Sequence, residues 1–565
     1  MNDDRRTVLK GIAVVSAAAV TGCGGSTSGD LSTPDVPPGA SQPVAFEHGV
    51  ASGDPLSDRV MLWTRVTPQN NAPHDRPVLP VTVTVAHDVG MTQPVRHYQA
   101  QARPEQDYCV KVDAVGLQQD RWYYYQFAVG EQRSPVGRTR TFPAAGRFAD
   151  RARFAVVSCS NFAFGLFSVY RAVADQSDLD FVLHLGDYIY EYGPGEYGNF
   201  PDRDPLPPRE IISLADYRER YAQYRTDVDL QRAHQQFPMI CVWDDHESAN
   251  DSWIGGAENH QEATEGDWET RKRASQQAYF EWLPIREQSP GNFERIWRDF
   301  QFGDLVDLFM LDTRLEGRDE PLDLPFDPAR NSASRRMISE AQSQWLRDGL
   351  AESSARWRVI GQQVMFAQIN IAELPSIDPR MPELRGNLSA INMDQWDGYA
   401  AERLRVLNHI SDQRIDNVVI LTGDIHSSWA NEVYRNPVPI TGELFAQPLA
   451  AEFVTPSVTS PGFPEGLSEL AGIALPLVNP HIRYFEGKSR GFILMDVNRQ
   501  RAQAEWYYVR SISDFDQRGQ LDLSRTKAMK VDSGSSRLIR DPQLSRPRTL
   551  RTALNNPSAP EVNLS

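Results

Sequence analysis

The side chains of this sequence with the clearest chemical capacity are cation ligands: carboxylates, a thiol, a phenol and an imidazole. They stand in four motifs, Ser-Cys-Ser-Asn at 158–161, Gly-Asp-Tyr-Ile-Tyr-Glu at 186–191, Asp-Asp-His-Glu at 244–247 and Gly-Asp-Ile-His at 423–426. The central residues of these motifs are Cys159, Asp187, Tyr190, Asp245, Asp424 and His426. In the last motif, extended backbone would place Asp424 and His426 on one face, as a ligand unit.

Each motif directly follows an apolar run, at 154–157, 181–185, 239–242 and 418–421. Such runs predict buried strands, and ligands in an open α/β sheet gather outside the carboxyl ends of its strands. Four ionisable groups at 244–247 are costly to bury unless metals, protons or substrate neutralise them. Taken singly, Cys159 could be a core residue, Asp187 a turn residue and 244–247 a solvated loop. In order along one chain, the four motifs predict a polynuclear metal centre.

The elements that must position these motifs alternate along the chain. Helical stretches near 166–175, 214–236, 267–283, 337–350 and 395–412 separate the apolar strands. This alternation predicts a layered α/β domain at 150–512, and two late strands at 491–497 and 503–509 predict that its sheet is mixed. Short runs of period-two alternation predict a small all-β Ig/fibronectin-like sandwich at 44–143. The polar, Arg-rich residues 513–565 predict a C-terminal extension that packs on the surface and frays at its end.

Length and charge limit the function classes. A chain of 565 residues exceeds what one hydrophobic core serves, so we expect at least two domains. The formal net charge of −17 argues against a protein that holds nucleic acid by neutralising its phosphates. An anionic substrate would therefore need local positive charge, which bound metal ions would supply.

The N-terminus predicts export. Arg5 and Arg6 precede a weakly apolar run at 11–20, which resembles a twin-arginine signal and is too short for a comfortable membrane span. Val-Thr-Gly-Cys at 20–23 resembles a lipoprotein cleavage box, which predicts a signal at 1–23 and lipidation of Cys23. The alternative is an ordinary signal cleaved nearby. The Gly/Ser/Pro-rich residues 24–43 predict a flexible linker.

We therefore expect the twin-arginine machinery to export the chain to the periplasm or the cell surface. Membrane contact would come only through a lipid on Cys23. The other three cysteines, Cys109, Cys159 and Cys241, are odd in number, so they cannot form a full disulfide framework. At least one of these thiols is predicted to be free or bound to something.

The ordered motifs resemble a known superfamily. Gly-Asp at 186–187, Asp-His-Glu at 245–247 and Gly-Asp-x-His at 423–426 resemble, with substitutions, the motifs of calcineurin-like metallophosphoesterases, which usually have Asn-His-Glu or Asn-His-Asp and Gly-His-x-His. Ser-Cys-x-Asn, Gly-Asp-Tyr-Ile-Tyr-Glu and Trp-Asp-Asp-His-Glu resemble the alkaline phosphatase D, or PhoD-like, branch. Ala-Ser-Gly-Asp-Pro at 51–55 and residues 60–68 resemble the N-terminal domain of that family.

The resemblance implies a phosphatase or phosphodiesterase with ferric iron and calcium. The implied iron ligands are Cys159, Tyr190 and His426; Asp187 would bridge iron to calcium, and Asp245, Asp424 and Asn250 would hold calcium. Asp244, Asp251 and Glu191 could also serve calcium, so that set stays open. A metal-bound hydroxide or a bridging oxo group would attack phosphorus in line.

Four further residues have two interpretations each. His246 could protonate the leaving alkoxide, or it could orient Asp245. Asn161 could donate to a phosphoryl oxygen of the substrate, or it could cap a loop. Arg225 and Arg314 could clamp the phosphate bidentately, or they could be structural ion-pair partners.

Two other functions stay open at this point. Monoester and diester hydrolysis share this metal chemistry, so a phospholipase D-like phosphodiesterase is the nearest alternative. A non-catalytic surface lipoprotein that binds ligands through its β-sandwich is the alternative from another class.

Overall fold

The computed structural model describes residues 43–69, 77–324, 327–370, 392–437, 443, 446–464, 467–541 and 543–548. The predicted signal at 1–23 with Cys23, the linker up to residue 42 and the last seventeen residues, 549–565, lie outside the described residues. None of the described helices combines the length and the apolar composition needed to cross a membrane.

The region before residue 143 is built from short strands. They are β1 (Val44–Ala45), β2 (Val50–Gly53), β3 (Arg59–Arg65), β4 (Thr67–Pro68), β5 (Leu79–Ala86), β6 (Pro94–Ala102), β7 (Cys109–Val115), β8 (Trp122–Val129), β9 (Gln132–Arg133) and β10 (Gly137–Arg140). Strands β10, β8, β5 and β6 form one antiparallel sheet, with β9 beside β8. Alternate residues of β3 and β7 share one apolar core with this sheet, as in a β-sandwich.

The remaining strands follow residue 150. They are β11 (Arg151–Val157), β12 (Phe181–His184), β13 (Met239–Cys241), β14 (Arg298–Phe302), β15 (Val306–Met310), β16 (Trp357–Gly361), β17 (Val418–Thr422), β18 (Ser428–Val433), β19 (Ala450–Val454), β20 (Ile482–Glu486), β21 (Gly491–Asn498), β22 (Arg501–Tyr508), β23 (Lys527–Asp532) and β24 (Leu538–Arg540). The helices are α1 (Ser168–Ala174), α2 (Leu214–Tyr224), α3 (Val228–Gln236), α4 (Glu262–Glu265), α5 (Trp268–Trp282), α6 (Glu340–Glu352), α7 (Ala400–Asp412) and α8 (Leu467–Val478).

Two mixed sheets carry the site. The first has the order β24-β23-β22-β21-β11-β12-β13-β2-β3-β7, and the second has the order β14-β15-β16-β17-β19-β18-β20. Strands β11, β12 and β13 are parallel, and so are β15, β16, β17 and β19. A bridge between Ser158 and Ser457 joins the two sheets just beyond β11 and β19. The predicted fold class, a layered mixed-sheet α/β region after an all-β sandwich, is confirmed.

Local capping explains where the helices divide. The helical stretch predicted over 214–236 is two helices, because the Asp227 carboxylate accepts hydrogen bonds from the N–H groups of Asp229 and Leu230 and so starts α3. The helix before it, α2, begins with a capping box between Ser213 and Asp216. These caps fix the two helices that follow the motif at 186–191.

Segments near both ends of the described part of the chain pair with the first large sheet. Strand β2 pairs with β13, so β2, β3 and β7 extend that sheet, and the buried Asp54 carboxylate pairs with Arg298 of β14 at 2.7 Å. The polar C-terminal extension adds β23 and β24 at the other edge, and Arg548 donates to Asp180 at 2.8 Å. The domain limits at 143, 150 and 512 stay predictions, and these contacts cross all three.

Candidate metal centre

The first group of candidate ligands lies just beyond β11, β12 and β17. One ligand atom from each of Cys159, Asp187 and His426 lies within 4.8 Å of the other two. The Tyr190 hydroxyl joins them, since it donates to Asp187 Oδ2 at 2.9 Å and lies 3.3 Å from His426 Nε2. The structure therefore brings together the four residues that the resemblance assigned to iron and to its bridge.

The second group consists of carboxylates. Ligand oxygens of Asp244, Asp245 and Asp424 lie within 4.8 Å of one another. A third group, formed by Asp187, Asp245 and His246, meets the same criterion and connects the first group to the second. Asp187 thus lies between the two, where a bridging carboxylate would stand.

The backbone at these ligands is unusual. The angle φ is +63° at Cys159, +54° at Asp187, +61° at Asp424 and +54° at His426. Left-handed backbone at a non-glycine residue costs roughly 1–3 kcal/mol and is concentrated at functional sites. The predicted extended conformation of Asp424 and His426 is wrong, because their left-handed turns direct Asp424 to the carboxylate group and His426 to the Cys159 group.

Two tight contacts lock the motif loops together. At Gly186 φ is +105°, and a Cβ there would lie 2.4 Å from Asp244 Cβ. Only glycine therefore allows the loop at 186–191 to approach the loop at 244–247 this closely. The Glu247 carboxylate accepts hydrogen bonds from the N–H groups of Asp187 at 3.0 Å, Tyr188 at 2.5 Å and Asp244 at 2.7 Å. This role of Glu247 could not be predicted from its place in the motif alone.

The carboxylates repel one another in the protein interior. Burial, with a smaller contribution from neighbouring carboxylates, raises the pKa of Asp244 and Asp424 well above the usual range, although Arg314 opposes it. Burial and the charge of Asp187 raise the pKa of Glu247 to about 8. Burial also favours a higher pKa at Asp245, but the positive charges of Arg314 and His246 outweigh burial and lower the pKa of this carboxyl. Added positive charge would stabilise all these ionised forms.

Arg314 supplies fixed positive charge to the carboxylates. Its Nε donates to Asp244 Oδ1 at 2.5 Å, Nη1 to Asp394 Oδ1 at 2.6 Å and Nη2 to Asp424 Oδ1 at 2.9 Å. Asp245 Oδ1 lies 3.7 Å from Nη2, and Arg314 is fully buried. These contacts match the structural ion-pair interpretation of Arg314 better than the phosphate clamp. Asp394, which the sequence analysis did not single out, belongs to this network.

The donor set fits the implied cations. Asp187 Oδ1 and Asp244 Oδ2 are buried without a hydrogen-bond partner in the described part of the chain. Buried polar atoms rarely stay unpaired, and a cation would satisfy both oxygens. Thiol, phenol and imidazole around Asp187 suit a transition metal, whereas the carboxylate group suits a harder cation such as calcium.

His246 is held by Glu191. Its Nδ1 lies 2.7 Å from Glu191 Oε2, and Glu191 is fully buried. Burial disfavours the charged imidazole, but the carboxylates of Glu191, Asp245 and Asp187 outweigh it and raise the pKa of His246 well above its usual value. Glu191 fixes the ring and leaves Nε2 as the second nitrogen. This geometry suits a proton donor.

The structure does not bring three predicted site residues into these groups. Arg225 is fully buried, lies over the Trp63 ring and donates to the Tyr188 hydroxyl at 3.3 Å. Asn161 caps its loop by accepting from the Ala163 N–H, and its amide donates to the Tyr197 carbonyl. The Asn250 amide donates to Glu258 at 3.2 Å.

Sequence reasoning missed residues of two distant segments, the loop after β19 and the turn between β20 and β21. Ser460 Oγ lies 2.5 Å from the Tyr190 hydroxyl, and the Pro461 carbonyl accepts from His426 Nδ1 at 2.8 Å, which leaves Nε2 of His426 to face Tyr190. Gly462 packs close to both Arg490 and His426, because a Cβ at this glycine would lie 3.2 Å from Arg490 Nη1 and 3.2 Å from the His426 carbonyl oxygen. Arg490 Nε has no hydrogen-bond partner among the described residues.

Three cysteines lie within the described residues. Cys109, Cys159 and Cys241 are all buried and free. Cys109 and Cys241 lie in strands β7 and β13, whereas Cys159 lies beyond the end of β11. Burial, and secondarily Asp187, raises the pKa of the Cys159 thiol well above its usual value. A bound cation would reverse that shift.

Comparison with known proteins matches both regions of the chain. A family model described as PhoD-like phosphatase matches residues 154–506, and one described as its N-terminal domain matches residues 32–143. Alkaline phosphatase D of Bacillus subtilis (strain 168) is 36% identical over 517 residues, which cover 89% of this chain and 84% of the relative. A solved structure described as "Structure of PhoD" is 34% identical with a TM-score of 0.79, and the match covers 90% of this chain and 94% of that chain. All four strand-end motifs lie within the match at 154–506.

Proposed function

The chain belongs to the PhoD-like phosphatase family and is a phosphoric ester hydrolase, and on this basis we propose that its metal-dependent active site is the cluster around Asp187. The observation that carries the proposal is that Asp187, a member of the Cys159 group, also forms a group with Asp245 and His246, and Asp245 in turn belongs to the carboxylate group. The first group contains a thiol and, through Tyr190, a phenol, and the carboxylate group contains carboxylates alone. Such a pair of neighbouring sites suits a phosphoryl group that must be held by more than one cation.

We assign ferric iron to Cys159, Tyr190 and His426, and calcium to Asp245 and Asp424, with Asp187 shared. Asp244 and Asn250 remain candidate additions to the calcium set. When bound, the cations would supply the charge that makes water a nucleophile at neutral pH and that neutralises the phosphoryl oxygens. The unpartnered Asp187 Oδ1 and Asp244 Oδ2 support a cation at each group.

The chain's own residues orient and protonate the substrate. Glu191 holds His246 through Nδ1, so Nε2 can carry a proton for the oxygen of the leaving group. Glu247 fixes the Asp187 and Asp244 loops through three backbone hydrogen bonds. Arg314 opposes the rise in the pKa of Asp244 and Asp424 and holds these carboxylates close together through its hydrogen bonds.

We further propose that the chain is exported and acts at the periplasm or the cell surface, with Cys23 as a lipid anchor. The twin arginines and the cleavage box in residues 1–23 support this placement. Labelling with a radioactive fatty acid in cells tests it: Cys23→Ala should abolish the label. A label that persists in that variant would contradict the anchor.

Activity should depend on calcium. With nitrophenyl phosphate and bis-nitrophenyl phosphate as substrates, exhaustive treatment with a calcium chelator should remove at least about 99% of the hydrolysis, because each lost cation withdraws several kcal/mol of transition-state stabilisation. Added calcium should restore the rate. Hydrolysis that survives the chelator would exclude calcium as the cation of the carboxylate group. Comparison of the two substrates measures the monoester and diester preference and so tests the phosphodiesterase alternative.

A further inference from the structure

Two tyrosines stand beside the proposed proton donor. The ring centroid of Tyr192 lies 5.5 Å from that of His246, and the ring centroid of Tyr197 lies 5.9 Å from it at an interplanar angle of 28°. Tyr197 also stacks on Tyr190 at 5.6 Å, and the two tyrosines lie 5.2 Å from each other. We call Tyr192 and Tyr197 the aromatic wall.

The wall has an open face. Tyr190 is only 2% exposed and His246 only 6%, whereas Tyr192 and Tyr197 are both partly exposed. The wall is therefore the part of this aromatic cluster that a substrate can reach. Burial, followed by the charges of Asp187, Cys159 and Asp245, raises the pKa of Tyr197, so its hydroxyl lies within the field of the candidate ligands.

The wall is anchored to the loop that carries Cys159. The Asn161 amide donates to the Tyr197 carbonyl at 2.6 Å, and the Phe200 N–H donates to the Ala163 carbonyl at 2.8 Å. A Cβ at Gly198 would lie 2.5 Å from the same Ala163 carbonyl, so glycine permits this close approach. The wall is thus held in place before any substrate binds, and Asn161 holds it.

We propose that the aromatic wall receives the leaving group of the substrate and selects for one that carries a ring, either aromatic or sugar. This inference rests on the proposed function, in which His246 faces the leaving oxygen. A group attached to that oxygen must pass the exposed rings that flank His246. A flat apolar face can stack on a tyrosine ring, whereas a short open-chain alcohol offers no such face.

Substrate and inhibitor pairs separate this role from a structural one. We compare nitrophenyl phosphate with glycerol phosphate as substrates, and phenylphosphonate with methylphosphonate as inhibitors, using the metal-loaded full chain. Tyr197→Ala should lower kcat/KM for nitrophenyl phosphate about tenfold and raise the inhibition constant of phenylphosphonate by a similar factor. The kcat/KM for glycerol phosphate and the inhibition constant of methylphosphonate should change less than about twofold, because Tyr197→Ala removes only a contact with the ring of the bound compound. Tyr197→Phe should behave as wild type. Glucose 1-phosphate as third substrate, which carries a sugar ring and no aromatic ring, distinguishes a sugar ring from an aromatic ring at the wall.

Two further variants keep the proposal falsifiable. Asn161→Ala should reproduce the selective loss if Asn161 holds the wall, whereas equal losses on all substrates would show that it acts on the phosphoryl group. The control Tyr507→Ala removes a partly exposed tyrosine of β22, which stacks on Phe492. It should change neither the preference for nitrophenyl phosphate over glycerol phosphate nor the preference for phenylphosphonate over methylphosphonate. If Tyr197→Ala lowered kcat/KM equally for nitrophenyl phosphate and glycerol phosphate, or for neither, the proposed role of the aromatic wall would be wrong. Failure of the wild-type protein to hydrolyse any of these esters would instead overturn the proposed function.

Discussion

Replacement of Asp187 by Asn should lower kcat/KM for phosphoesters roughly 10³-fold, equivalent to about 4 kcal/mol of transition-state stabilisation. Asp187 belongs to two of the three ligand groups, and its Oδ1 is buried without a partner among the described residues. A neutral amide would bind a cation weakly at both groups. The measurement is steady-state hydrolysis of nitrophenyl phosphate together with metal content.

The fold should survive this substitution. Asn tolerates left-handed backbone better than most residues, and φ at Asp187 is +54°. Removal of its charge also relieves the repulsion that raises the pKa of Glu247. The thermal midpoint without metal should therefore be equal to or above that of wild type.

A matched control is Asp202→Asn, at an exposed residue with φ of +60°. It makes the same chemical change in the same backbone conformation, and activity should be unchanged. Full activity in Asp187→Asn would exclude the cluster as the active site.

Replacement of Arg314 by Leu should destabilise the calcium-free protein by about 3–5 kcal/mol at pH 8, because it leaves buried carboxylates without their counter-charge. Three carboxylates accept hydrogen bonds from its guanidinium, those of Asp244, Asp394 and Asp424. The free energy of unfolding from urea titration in the presence of a chelator measures this effect.

The pH dependence of this loss has a definite sign. Burial already raises the pKa of Asp244 and Asp424, and removal of Arg314 would raise it further. A carboxyl whose pKa is higher in the folded state favours folding while it is protonated, and that contribution disappears as pH rises through the folded value. The Arg314→Leu variant should therefore be less destabilised at pH 5 than at pH 8, and calcium should restore part of the loss.

Arg273→Leu is the control, because Arg273 pairs with Glu269 on the exposed face of α5, with 66% of its side chain exposed. That variant should change stability by less than about 1 kcal/mol. If Arg314→Leu were as stable as wild type at pH 8 without calcium, Arg314 would not be the counter-charge of the carboxylate group. A phosphate clamp would then become the better interpretation of Arg314.

The convergence of the motifs could be predicted from the sequence because strand geometry determines it. Cys159 and Asp187 follow the parallel strands β11 and β12, so they had to meet at one edge of the first sheet. His426 follows β17 of the second sheet, and its arrival at the same place depends on the bridge between Ser158 and Ser457. The order of the four motifs predicted that their side chains lie close together, although no single motif was specific.

The partners of these ligands could not be predicted, because they come from segments with no signal of their own. Ser460 and Asp394 reach the site through loops whose path depends on tertiary packing. Arg225 and Arg314 looked equivalent in the sequence, yet Arg225 packs on Trp63 and Arg314 neutralises carboxylates. Only the contacts separate the two arginines.

Long-range strand pairing also exceeded what the local pattern could predict. The sandwich was visible as period-two alternation, but the pairing of β2 with β13 joins residues far apart in the chain. The Arg-rich composition of the C-terminal extension hid β23 and β24, whose buried residues, including Val531 and Leu538, complete the first sheet. Pairing partners of this kind follow from the whole fold and not from a local window.

The central claim is that ferric iron binds at the Cys159 group. The visible absorption spectrum of active protein with a measured iron content tests this claim most directly. Ferric iron bound by the Tyr190 phenolate and the Cys159 thiolate gives charge-transfer bands, so a sample with stoichiometric iron should be coloured. Tyr190→Phe should lose or shift the phenolate band, and phosphoester hydrolysis should fall with it. A fully active wild-type sample without visible absorption, or a spectrum unchanged in Tyr190→Phe, would contradict the assignment of iron to this cluster.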